Sequence, residues 1–246
     1  MARPLEIDLD DAALSPLLDF DAPPPDAPLL LPGRAFPLDF RSGALAIAGA
    51  PLFIVETPNS QLGTGLNVWD GAVVLAKHLE ARRAHQLPGA RVLELGAGPG
   101  VAGLAAAALG ASVTLTDLPY VLPNLREAVA LNTHLRGPLA VAELDWFAPQ
   151  AMAGGGGFDL VLGSDVVWVE ELIPPLVNTL ALLLRQRPGC EALLAHQTRS
   201  RRGDALLTRL LGAAGVRVRV LPRGEHHADF SVPAIELLSL TLARDE

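Results

Sequence analysis

Arg91-Val92-Leu93-Glu94-Leu95-Gly96-Ala97-Gly98-Pro99-Gly100-Val101-Ala102-Gly103 is the stretch whose reading decides the fold. Val92 to Leu95 is a short apolar run of the kind a buried strand shows. Three glycines follow with no bulky residue among them. Val101 to Leu109 is then apolar and Ala-rich, as a helix lying on a sheet is. Strand, glycine turn and helix N-terminus together make a place for a polar nucleotide group, because glycine bends sharply and the free N–H groups of the helix point outward. Asp117 lies at the end of the next apolar run, nineteen residues after Gly98.

Outward from this core, the chain alternates strand and helix patterns. Strands are expected at 91–95, 112–116, 139–144, 159–163, 191–195, 216–220 and 235–242, with helices at 100–109, 119–132, 170–185 and 203–213. Repeated β-then-α units predict a Rossmann-like α/β fold: a seven-stranded, mostly parallel sheet covered on both faces, with right-handed crossovers. Residues 216–220 and 235–242 are joined without a helical pattern, so the last strand is expected to run antiparallel. Before this domain, Leu66 to Ala84 has apolar residues at helical spacing, and Phe36 to Glu56 reads as a small antiparallel ribbon. The expected boundaries are a ribbon over 34–60, a helical segment over 61–88, and one domain over 34–246. Residues 1–33, with Pro23-Pro24-Pro25 among acids, read as a disordered tail, and Gly154 to Gly157 as a plain linker.

Composition excludes several classes of function. Seven of the acids and one base fall in residues 1–33, so the tail carries −6 of the formal −8. The body is near neutral and lacks the basic footprint of a nucleic-acid binder, which disfavours that partner. Cys190 is the single cysteine, so neither an internal disulfide nor a cysteine-based zinc site can form, and no metal is expected. No run of about 18 apolar residues exists, so no membrane span is expected. The N-terminus is the opposite of a signal peptide, and a cytoplasmic (or nuclear) protein is the expectation.

Gly98 to Gly103 matches G-x-G-x-x-G, which taken alone suggests a nicotinamide dinucleotide. Three features point elsewhere. Glu94 precedes Gly96 to give E-x-G-x-G-x-G, the glycine run comes after a long N-terminal segment, and no Ser-Tyr-Lys hydride-transfer constellation accompanies it. Further blocks follow in order: Gly65-Leu66-Asn67-Val68-Trp69-Asp70-Gly71-Ala72, Val113-Thr114-Leu115-Thr116-Asp117, Leu144-Asp145-Trp146, and Phe158-Asp159-Leu160-Val161-Leu162-Gly163-Ser164-Asp165-Val166-Val167-Trp168. With the glycine block they resemble the seven-β-strand (class I) methyltransferases that use S-adenosyl-L-methionine. Within these they resemble the protein-lysine methyltransferase group (methyltransferase family 16, methyltransferase-like 21-type).

The resemblance implies methyl transfer to the side-chain amine of a lysine in a protein, a chaperone or translation factor among the partners, by a monomer. It implies a cofactor site made by Trp69, Glu94, Gly96, Ala97, Gly98, Asp117, Trp146 and Ser164. Asp117 would grip the ribose hydroxyls by charge-assisted hydrogen bonds, Trp146 would meet the adenine, and Trp69 would close over the cofactor. Asp165 and Trp168 would border the incoming lysine. The family has Asp/Glu-x-x-Tyr/Phe here, and Trp168 keeps an aromatic face while removing a phenolic hydroxyl. The competing readings are helix N-caps for Asp117 and Asp165, a core residue for Trp146 and packing for Trp69. His196 to Ser200 reads as a loop beside the substrate channel, and Arg199, Arg201 and Arg202 as a solvated helix start. The rival functions are a methyltransferase for a small metabolite or nucleic acid, an NAD(P)-dependent oxidoreductase, and a non-catalytic binding module.

Overall fold

The computed structural model describes residues 34–57, 64–152 and 156–243. The expected tail at 1–33 lies outside the described residues, as do 58–60 of the expected ribbon, 61–63 of the helical segment and 154–155 of the linker. The 34–243 unit begins with a hairpin of two-residue strands, β1 (Ala46–Ile47) and β2 (Ala50–Pro51). Ala48 and Gly49 both have positive φ in the turn between them. The pairing is shorter than the alternation over 36–56 suggests, because the flanking residues fill the core instead of extending the ladder. Leu45, Leu52 and Ile54 are fully buried.

Helix α1 (Asp70–His78) follows and widens into a π turn over Leu79–Arg83. Every residue of α1 after Asp70 is buried. It starts four residues later than the apolar spacing from Leu66 predicts, with Trp69 in extended conformation at its N-cap.

The sheet contains β3 (Arg91–Leu95), β4 (Ser112–Asp117), β5 (Leu139–Glu143), β6 (Leu160–Ser164), β7 (Glu191–Gln197), β8 (Val216–Val220) and β9 (Ile235–Leu242) in the order β5-β4-β3-β6-β7-β9-β8. All pairings are parallel except those of β9 with β7 and β8. The chain winds outward from β3 to β5 and then returns to place β6 on the other side of β3. The crevice between the C-terminal ends of β3 and β6 is therefore the topological switch point where open α/β sheets bind ligands. The glycine turn and the Ser164-Asp165 block lie on its two sides.

Helices α2 (Val101–Ala108), α3 (Leu122–Leu131), α4 (Ile173–Gln186) and α5 (Arg201–Ala213) cover the sheet. All of α2 is buried, and its small side chains allow close approach. A Cβ on Gly103 would sit 2.2 Å from Leu115 Cδ2 and 2.6 Å from Glu94 Oε2. The caps decide two open readings. Helix α3 begins at Leu122 with Pro123 in its first turn, and α4 begins at Ile173 after a 3₁₀ turn at Glu170–Leu172. Neither Asp117 nor Asp165 is close enough to cap a helix. Ser200, by contrast, caps α5 by accepting from the Gly203 N–H at 3.1 Å.

Candidate active site

Beta-strand 3 ends in a turn that only glycine makes cheaply: φ is +55° at Gly96 and +53° at Gly98. The turn is also crowded. A Cβ on Gly96 would meet Trp146 Cζ2 and Val166 Cγ1, each at 3.2 Å, and one on Gly98 would meet the Gly65 carbonyl oxygen at 3.0 Å. Ala97 is buried, and its N–H donates to the Thr116 carbonyl at 2.9 Å. Trp146 is half-buried with its indole edge against Gly96, so it borders the turn instead of filling the core.

Two acids brace this turn. Asp117, at the end of β4, accepts from the Gly98 N–H on Oδ2 (2.8 Å) and from the Leu118 N–H on Oδ1 (2.7 Å). Each oxygen keeps a lone pair for a further donor, which suits a vicinal diol. Burial pushes its carboxyl above the usual range, against the pull of those two N–H groups. Glu94, in the middle of β3, is fully buried. Its Oε2 accepts from the Gly103 N–H at 2.8 Å, and Oε1 has no partner. Burial drives its carboxyl up to about 8, with the Asp117 charge adding to the rise. At neutral pH Glu94 is therefore mostly the neutral acid, holding the first turn of α2 onto the strand.

On the other side of the crevice, Ser164 ends β6 half-buried, in register with Ala195. Asp165 follows in the left-handed region, with φ +52°. Its side chain lies against α1, where a Cβ on Gly71 would fall 2.4 Å from Oδ2. Burial raises its carboxyl, while the Arg199 guanidinium, 3.4 Å from Oδ1, and the Gly71 N–H pull it down. Trp168, three residues on, is 47% exposed and lines a shallow recess with Val167, Arg199 and Ser200. Trp69 is half-buried; its Nε1–H donates to the Thr64 carbonyl at 3.3 Å, and the Arg199 guanidinium stands 5.6 Å from its ring centroid.

Of the ten residues picked out by sequence, Gly96, Ala97, Gly98, Asp117 and Trp146 gather at the turn after β3 with Glu94 buried beneath it, Ser164, Asp165 and Trp69 lie on the β6 side near Arg199, and Trp168 lines the recess beyond Arg199. Arg199 is the residue the sequence reading misses, for it is grouped there with Arg201 and Arg202 as a solvated helix start. All three are exposed, but the Arg199 guanidinium reaches back to Asp165 and the Trp69 ring. Tyr120 is the second miss: a Cβ on Gly65 would meet its hydroxyl at 2.9 Å, and Asp117 lies near enough to raise the phenol further after burial has done so. The crevice fits a nucleoside sulfonium of the S-adenosylmethionine type. It offers a carboxylate with spare acceptors, a glycine turn without Cβ atoms, an aromatic edge beside that turn and a buried carboxyl oxygen without a partner. Among the described residues no cluster of three or more His, Cys, Asp or Glu could hold a metal, and no helix is long and apolar enough to cross a membrane.

Comparison with known proteins gives a consistent picture. The sequence profile described as lysine methyltransferase matches residues 49–212. The chain is 34% identical over 189 residues to the EEF1A lysine methyltransferase 3 of Mus musculus, covering 73% of this chain and 80% of that protein. It is 40% identical over 152 residues to the protein N-lysine methyltransferase METTL21A of Mus musculus, covering 61% and 68%. Among solved structures, a 16S rRNA methyltransferase of T. thermophilus in complex with AdoMet and guanosine aligns with a TM-score of 0.57 at 21% identity, over 81% of this chain and 49% of that one. An O-methyltransferase family protein from Burkholderia thailandensis aligns with a TM-score of 0.53 at 14% identity, over 71% and 56%. At those identities the two structures speak for the fold alone.

Proposed function

Because the chain belongs to the lysine methyltransferase family, we propose that it transfers a methyl group from S-adenosyl-L-methionine to the side-chain amine of a lysine in a protein. What supports the reading is that Asp117 and the buried Glu94 brace the glycine turn beside Trp146, with Asp165 following β6 across from it, within the region the family profile covers. When bound, the cofactor would supply an electrophilic methyl group on a sulfonium, to be met by the lone pair of a neutral lysine amine.

The work left to the protein is alignment and exclusion of water. Asp117 would hold the ribose diol, with its carboxylate preset by the Gly98 and Leu118 N–H groups. Gly96, Ala97 and Gly98 would line the cofactor with backbone, and Trp146 would flank the adenine. Glu94 would keep the turn and α2 in register. Ser164, Asp165, Trp69 and Trp168 would form the mouth through which the lysine enters, the exposed indole of Trp168 lying along its aliphatic stem. The amine must arrive neutral, and partial burial lowers its pKa.

The relatives are named for lysines in proteins, one of them in EEF1A, and a translation factor or chaperone is the acceptor class proposed here. A monomer in the cytoplasm or nucleus is proposed with it. Calorimetry should detect S-adenosylhomocysteine and not NAD. Labelled S-adenosylmethionine with a cell lysate should then mark protein, with the label recovered as methyl-lysine after hydrolysis. Label confined to RNA or small metabolites would overturn the reading.

A further inference from the structure

Arg199 lies 34 residues from Asp165 in sequence and meets it across the sheet edge, its guanidinium 3.4 Å from Oδ1. The Asp165 side chain is 7% exposed and that of Arg199 29%. The ion pair is thus anchored on a nearly buried carboxylate, with the cation facing the mouth beside Trp69 and Trp168. Three acids near this mouth have partners of their own. Glu170 accepts from Ser200 Oγ at 2.7 Å and pairs with Arg202 at 3.3 Å. Asp204 is bonded by His196 Nε2 at 2.9 Å and by Thr198 Oγ1 at 2.6 Å. Asp70, beside Gly71 on α1, is occupied by the Ala35 N–H. His196 also acts on Asp165 electrostatically.

A lysine ammonium beside a bare, nearly buried carboxylate keeps its proton, because an opposite charge in low dielectric favours the charged form. An ammonium carries no lone pair, so a site built that way would bind the acceptor and stall. A carboxylate already paired with a fixed cation presents no net charge, and the amine loses the incentive to stay protonated. We propose that Arg199 is a positioning residue that sets the protonation state of the acceptor: by pairing with Asp165 it admits the lysine as a free base. The inference deepens the lysine methyltransferase reading and rests on it.

The test is the pH dependence of label transfer by the full chain, with labelled S-adenosylmethionine and the protein fraction of a heat-treated lysate at subsaturating concentration. Wild type, R199K, R199M and the double variant R199M/D165N are compared. In R199M the rising limb should move up by about one pH unit, which is roughly a tenfold loss at neutral pH that is recovered in alkali. R199K keeps the charge, and its limb should coincide with that of wild type. R199M/D165N removes both charges, and its limb should return to the wild-type position even where the rate is lower. A loss in R199M that is the same at every pH, or a double variant as displaced as R199M, would overturn the proposal. A wild type that binds S-adenosylhomocysteine but labels no protein removes the function reading itself, and this inference with it.

Discussion

Glu94→Gln reads the buried acid of the cofactor turn directly. The carboxyl titrates at about 8 against an ordinary 4.5, with burial as the leading cause. Between those two values the folded protein keeps a proton that the unfolded chain has released. Stability from this group is therefore complete below 4.5 and drains away as pH rises through 8. At about 1.4 kcal/mol per pH unit, the wild type should lose about 3 kcal/mol between pH 5.5 and pH 8 from Glu94 alone. Gln has the shape of the protonated acid and can still accept from the Gly103 N–H, so the variant should not show this decline. Urea unfolding of cofactor-free wild type and variant across the interval isolates the effect, because titrating groups that do not act on Glu94 cancel in the difference, and Asp117, which does, adds only a minor part of the rise. A gap opening by about 3 kcal/mol corresponds to roughly 6–12 °C in melting temperature for a domain of this size. Two curves that stay parallel would show that Glu94 ionises as an exposed acid does, and the neutral-acid picture of the turn would be wrong.

Asp117→Asn removes a charge-assisted acceptor and should weaken S-adenosylhomocysteine binding roughly ten- to hundred-fold by calorimetry, at about 1.5–3 kcal/mol; unchanged affinity would take Asp117 out of the cofactor site. Gly103→Ala places a methyl 2.2 Å from Leu115 Cδ2 and 2.6 Å from Glu94 Oε2. It should lower stability by about 1–3 kcal/mol in denaturant unfolding, and a neutral result would mean α2 can lift off the strand at no cost. His78 and His226 are buried, and burial holds both below the ordinary 6.5. Since the unfolded chain takes up protons the fold refuses, stability should hold above 6.5 and decline as the pH falls below it. Thermal melts should show H226Q flattening that decline, and identical slopes for variant and wild type would remove His226 as a cause.

Where the fold was legible, one physical feature carried it. The inner strands were readable because a sheet covered on both faces leaves continuous apolar runs, while the largely exposed edge strands β5 and β8 were marked by short apolar or alternating runs bounded by glycine and proline. Beta-strand 3 was placed to the residue, since Leu95 is the last position before positive φ becomes necessary at Gly96. Helix starts were less legible. Pro123 and Pro174 sit one residue inside α3 and α4, but apolar residues upstream of them kept the helical pattern going. The ribbon at 36–56 misled in length because alternation reports a buried side and says nothing about a hydrogen-bonded partner.

The site divided along the same line. Residues on the turn after β3, at the end of β4 and after β6 follow from strand ends, which local pattern marks. Arg199 does not, because its role depends on β7 running parallel beside β6, so that the residues following each strand emerge together. Read locally, Arg199 is one arginine among three. Tyr120 fails for a related reason: only the folded chain brings Gly65 back over the end of β4.

Asp165 is where stability and function pull against each other. A non-glycine residue in the left-handed region costs on the order of 1 kcal/mol, and here the residue also carries a carboxyl that burial drives upward. Asn tolerates the same backbone, accepts from the Gly71 N–H with its amide oxygen, and brings no charge to desolvate. Removing one partner of a buried ion pair is ordinarily costly because the other is stranded. Arg199, however, is 29% exposed, so its guanidinium can turn to water while keeping its place over Trp69. The desolvation relieved at Asp165 should therefore outweigh the pair that is lost. Asp165→Asn is expected to melt at or above the wild-type temperature at neutral pH while methyl transfer falls. If the variant instead unfolds at lower urea, the ion pair stabilises the fold more than the buried charge costs it, and Asp165 is held in place by structure as much as by chemistry.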